Sequence, residues 1–142
     1  MLTGDGGHDA YCESVGAHSA RFEPPDLIFV TYVGDVNESE VHALNAVSNR
    51  IGIGKKWLVS IVDMSRVGSV SAKARRAWMH SSPLMRGAVF VGVGHKLQIG
   101  LSVLVMAFNL LNRHDGVQVA FVNTEEKARA WILERRKVLE AE

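Results

Sequence analysis

The chain has 142 residues, enough for one domain that buries its own core without staples. Hydrophobic residues make up 47% and charged residues 22%, which argues against a disordered chain and against a membrane protein. A net charge of +1 supplies no global field for nucleic acid, and a single cysteine leaves no intrachain disulfide and no cysteine-based zinc site.

Residues 1–16 are rich in Gly, Asp, Ser and His without periodicity, and read as a flexible tail before a single domain over 17–142. The N-terminus lacks a basic region followed by an apolar one, so no secretory signal is expected and a cytoplasmic location is the default. His18–Glu23 predicts a short strand, ended by Pro24-Pro25, and Asp26–Val33 a second one. The two are expected to pair as an antiparallel hairpin at a sheet edge, followed by turn chemistry at Gly34-Asp35.

Asn37 and Glu40 have the spacing of a capping box, and Val41, Leu44, Val47 and Ile51 then recur at helical intervals. Trp57–Met64 is almost continuously apolar, as a strand buried on both faces should be. A loop is expected over 65–71, with Ser71 capping a helix through about His80. Ala88–Val93 reads as a strand, Lys96–Asn112 as an apolar helix, and Val117–Val122 as a strand. Thr124 caps a last helix, with acids at its start, bases near its end, and a buried stripe of Ala128, Trp131, Ile132, Val138 and Leu139. Strand and helix alternation at this spacing predicts right-handed crossovers. The fold class is therefore α/β, with a mixed, mainly parallel five-stranded sheet, an antiparallel N-terminal edge strand and four helices.

The segment after the third strand reads Asp63-Met64-Ser65-Arg66-Val67-Gly68-Ser69-Val70-Ser71-Ala72-Lys73-Ala74. With the element order, it resembles the SpoIIAA-like or STAS family of anti-sigma-factor antagonists, which typically read Asp-Leu-Ser-x-Val-x-x-x-Asp-Ser-Ser-Gly there. The first half matches. In the second half the family's acidic residue falls on Ser71, its adjacent serines, one of them the phospho-acceptor, on Ala72 and Lys73, and its glycine on Ala74. The resemblance therefore implies the fold, with helices mostly on one side of the sheet, but does not carry the family's phosphorylation switch. Two further segments, Ala107–Arg113 and Phe121–Trp131, resemble an uncharacterised bacterial STAS/SEC14-like branch. Together the likeness spans about residues 20–137.

Several residues are candidates for chemistry. Asp63 is either a general base or the acceptor of an Asx-type turn. Ser65, Ser69 and Ser71 are candidate modification sites, and Ser71 is equally the expected N-cap of the next helix. With Arg66, Lys73 and Arg75 they define a candidate regulatory or partner loop. Gly92-Val93-Gly94-His95-Lys96 has neither the P-loop nor the Gly-x-Gly-x-x-Gly spacing, so it reads as a structural turn. The six histidines form no metal-binding pair and no cofactor fingerprint stands out, so no metal and no cofactor are expected.

Charge is uneven, with 8 acids and 2 bases in residues 1–50 but 7 acids and 14 bases in residues 51–142. The helix Leu97–Leu111 is apolar around most of its circumference. Leu97, Leu101, Leu104, Val105, Phe108 and Leu111 form its core stripe. Val103, Met106, Ala107 and Leu110 leave a second face, a candidate apolar interface or pocket. Gln98, Gly100, Ser102 and Asn109 interrupt the stretch, and it is too short for stable membrane insertion.

These features point to a non-enzymatic regulatory or protein-interaction domain, with a homodimer as one form and no nucleic-acid partner. The alternative is a SEC14-like binder or carrier of a small apolar or lipid ligand.

Overall fold

The computed structural model describes residues 11–80, 82–111 and 117–141. Its strands are β1 (Tyr11–Val15), β2 (His18–Glu23), β3 (Leu27–Val36), β4 (Leu58–Val70), β5 (Met85–Val91) and β6 (Gln118–Val122). Its helices are α1 (Glu38–Ile51), α2 (Ala72–Ala77), α3 (His95–Leu111) and α4 (Glu125–Ala141), and a 3₁₀ turn, Trp78–His80, continues α2. One sheet holds the strands in sequence order. β1, β2 and β3 pair antiparallel, and β3 to β6 pair parallel.

The sheet has six strands where five are expected. The extra one is β1, drawn from the segment read as a tail; residues 1–10 of that tail lie outside the described residues. β1 pairs with β2 from Tyr11↔Phe22 to Val15↔His18 through a two-residue turn at Gly16-Ala17, where Gly16 has φ +59°. A strand at a sheet edge is held by ladder hydrogen bonds, so it needs no apolar pattern for a sequence reading to catch. The Arg50–Glu13 ion pair at 2.6 Å ties it to α1.

β3 and β4 also outrun their expected ends, and the expected loop 65–71 is strand as far as Val70. Beyond the main sheet they continue as a parallel ribbon that pairs Val33↔Arg66, Gly34↔Val67 and Val36↔Val70. The ribbon closes because Asp35 Oδ1 accepts the Ser69 N–H at 2.8 Å, and because Gly68 leaves room for that carboxylate. The Ser69 hydrogen bonds hold the Asp35 carboxyl below its ordinary range. A register shift precedes the ribbon, between Thr31↔Asp63 and Val33↔Arg66.

The parallel strands follow one another in a single direction across the sheet. Right-handed crossovers between them must then fall on one face. Accordingly α1, α2 and Leu101 of α3 pack with Ile28, Val30, Val62, Met85 and Phe90 on that face. Among the described residues α4 alone covers the other, setting Ala128, Ile132 and Leu139 against Leu27, Phe29, Val59, Ile61, Val89 and Val91. Val138, expected in the buried stripe of α4, is 49% exposed instead. The stripe is completed by Trp131, whose ring lies over Gly87 where a Cβ would come within 3.2 Å.

Ion pairs anchor α4 to the loop between β2 and β3. Arg136 reaches the buried Asp26 at 2.6 Å, and Asp26 also accepts the Trp57 indole N–H at 3.1 Å. Arg129 grips Glu23 with two bonds, at 2.9 and 3.0 Å. On the opposite face the buried His18 accepts the Val33 N–H on Nδ1 at 3.0 Å, and its Nε2 lies 3.2 Å from Glu40. Glu40 completes the expected capping box with Asn37, and Thr124 accepts the Lys127 N–H at 3.2 Å as the cap of α4.

Two outcomes are expected. The Arg129 hydrogen bond lowers the Glu23 pKa from 4.5 to about 2, against the opposing effect of burial, with Arg21 helping. Pairing therefore stabilises the fold fully above pH 4.5, and this is lost as pH falls toward 2. In thermal melts across pH, Arg129→Met should lie below wild type at neutral pH and converge with it in acid; a constant gap contradicts the assignment. Ser71 Oγ accepts the Ala74 N–H at 3.0 Å, so Ser71→Ala should cost about 1 kcal/mol in urea unfolding, while Ser71→Asp should stay within a few tenths.

Candidate functional site

Three regions of the surface and interior could carry function. The first is the ribbon end with the start of α2, where the sequence places its candidate loop. Asp63 Oδ1 accepts both the N–H and the hydroxyl of Ser65, at 3.0 and 2.7 Å. This is the Asx-type arrangement, and it holds the register shift between β3 and β4. The Ser65 and Ser71 hydroxyls are thus engaged in local structure, and Ser69 is held through Asp35. Arg75 donates to the Val70 carbonyl at 3.3 Å. Arg66 and Lys73 are exposed.

The glycine turn after β5 meets this region. Gly92 has φ +74°, and a Cβ there would sit 3.0 Å from Ser65 Cβ. Gly92 is therefore required for close approach between the two strand ends, and Gly94 starts the first turn of α3 by accepting the Gln98 N–H at 2.9 Å. Beside α2 a shallow groove is lined by Glu38, His42, Lys73, Arg76 and His80. Among the described residues, no group of three His, Cys, Asp or Glu side chains is placed to hold a metal ion. Cys12 lies on β1 with an exposed side chain.

The second region is α3. Its inner face carries the fully buried Leu101, with Leu97, Leu104 and Val105 half-buried; the side chains of Phe108 and Leu111, expected in the core stripe, lie outside the described ones. The outer face is apolar and open: Ile99 is 53% exposed, Val103 60%, Met106 71% and Leu110 68%. Ala107 is exposed beside them. Asn109, which reads in sequence only as a polar interruption, fastens the C-terminal end of the helix by exchanging two hydrogen bonds with the Val117 backbone, both at 2.9 Å. No helix of the described residues is long and apolar enough to cross a membrane.

The third region is a cavity of about 90 Å³ between the sheet, α1, the 3₁₀ turn after α2, and α3. Its floor is a row of residues in register across the sheet, Ile28, Ser60, Ala88 and Val119. Two small residues at the middle of that row leave the space. Tyr32, Trp78 and Phe90 form one wall, ring to ring at 5.6 and 6.1 Å. Trp78 donates its indole N–H to Tyr32 Oη at 2.8 Å, and burial pushes the Tyr32 pKa up, so this hydroxyl keeps its proton. The sequence reading names none of these residues as a site. One signal was present, a serine inside the otherwise apolar run of β4.

No protein-family model matches the sequence, and no curated protein matches it significantly. Solved structures do. The unphosphorylated anti-sigma factor antagonist SpoIIAA superposes with a TM-score of 0.56 at 12% identity, over 82% of this chain and 97% of that one. An uncharacterised protein of the DUF3478 family from Shewanella loihica PV-4, described as SpoIIAA-like, superposes with a TM-score of 0.52 at 14% identity, over 92% of this chain and 98% of that one. With its antiparallel N-terminal strands, parallel remainder and four helices, the chain has the SpoIIAA-like, or STAS-like, fold.

Proposed function

We propose that this domain is a non-enzymatic regulatory and protein-interaction module, and that it docks through the outer face of α3. The observation that carries this reading is the open apolar stripe. Ile99, Val103, Met106 and Leu110 recur at alternating intervals of four and three residues. That is the spacing of a seam made to meet another helix. Exposed apolar patches of this kind on a soluble domain mark interaction sites.

The favoured occupant is a second copy of the chain. From Leu97 to Leu111 the helix carries no charged residue, so two copies of the seam meet without repulsion. Gly100 and Ala107 flank the stripe seven residues apart, and nothing lies within 4 Å of a Cβ placed on Gly100. Small residues there let two helix backbones approach. The structural likeness to an anti-sigma factor antagonist supports a partner-binding role in general. The exposed Arg66 and Lys73, with Arg75, form a second surface, suited by its charge to an acidic partner.

A second reading, binding of a small apolar ligand, draws support from the cavity beneath α3. The two readings are compatible, because they use opposite faces of one helix.

The test is sedimentation equilibrium across a concentration series. A seam of this length is smaller than a standard interface, so dimerisation should be concentration-dependent. Val103→Glu and Met106→Glu should each weaken it at least tenfold with unchanged circular dichroism. Reversing Arg66, Lys73 and Arg75 to Glu should leave it intact. A wild-type protein that stays monomeric at millimolar concentration refutes the second copy as occupant.

A further inference from the structure

We infer that the cavity is a binding site for a small, compact apolar molecule bearing one hydroxyl or carbonyl, recognised by Ser60. This rests on the ligand-binding reading and narrows it. Three observations carry it.

Ser60 is 5% exposed and lines the cavity, where its hydroxyl is open to the space and not sealed away from it. A hydroxyl on a largely apolar wall offers a hydrogen bond to whatever fills the space. A serine hydroxyl both donates and accepts, so either a ligand hydroxyl or a ligand carbonyl would serve. Tyr32 adds a second polar point: its oxygen accepts from Trp78, which leaves its own proton to donate.

Most of the remaining wall is apolar, with Leu44, Val62, Phe90 and Leu101 in it; Asn45 and Ser48 also line it, but each donates to a backbone carbonyl, of Ala77 and of Leu44. Such a wall favours a molecule with little polar surface beyond one group. The volume sets the size. At about 90 Å³ the cavity is smaller than the engineered cavity of about 150 Å³ that takes up benzene. It opens partly at the surface, so it can seat a small ring or a short branched chain with one edge at its mouth, but it cannot enclose the acyl chain of a lipid. Size thus separates this inference from a lipid carrier.

The experiment titrates the full chain with cyclopentanol, cyclopentane and oleate, followed by methyl NMR. Cyclopentanol should give saturable shifts at Val62, Leu101 and Val105, and should bind more tightly than cyclopentane. Ser60→Ala should weaken cyclopentanol about fivefold and leave cyclopentane unchanged. Two filling variants, Ala88→Leu and Val105→Phe, should each abolish uptake of both, and either one that folds suffices. Equal affinity for the two rings in wild type, or shifts that survive filling, would overturn the inference. One-to-one oleate binding without cyclopentanol binding would overturn it and leave the carrier reading standing. Uptake of none of the three would sink both.

Discussion

The parallel ladder from β3 to β6 is the constraint on which the rest depends. Each strand is laid beside its predecessor, always in the same direction. Right-handed crossovers then have one face available, and α1, α2 and α3 share it. The helix that joins the last two strands lies at the end of that row. Among the described residues it has neighbours on its inner side and none on its outer side. Its uncovered stripe is therefore a consequence of topology acting on an unusually apolar sequence.

The same constraint explains α4. The opposite face has one helix to cover it, and that helix returns from the last strand toward the middle of the sheet. Apolar packing on Ala128, Ile132 and Leu139 is supplemented by Arg129 and Arg136, which bind carboxylates at the turn between β2 and β3. Surface ion pairs are individually weak. Asp26 differs because it is buried and bonded to both an arginine and an indole, so neither partner can be removed without leaving a desolvated polar group.

The residues that chemistry alone would single out near the strand ends are largely absorbed by structure. Asp63 and Ser65 hold a register shift, Asp35 and Ser69 close a ribbon, and Ser71 caps a helix. Their polar groups are consumed because the ribbon projects beyond the sheet, where each strand has lost one neighbour and needs side chains to satisfy its backbone. The cavity shows the converse. Ser60 stands on a central strand paired on both sides, and its side chain lines the cavity without serving the ladder.

The sequence by itself determined what depends on local pattern. The capping box at Asn37 and Glu40, the cap at Thr124, the central strands and the two-sided apolarity of α3 all follow from spacing and residue type. The extra edge strand, the ribbon over Val33–Val36 and Arg66–Val70, and the exposure of Val138 were not legible, because polar edge strands and helix rotation are set by whichever neighbour is present. Tertiary structure also decided which face of α3 is open. It decided, too, that Ser60 and Ala88, 28 positions apart in the chain, stand side by side. Register between strands is a long-range property, and no local pattern in either strand specifies which small residue its neighbour will place beside it.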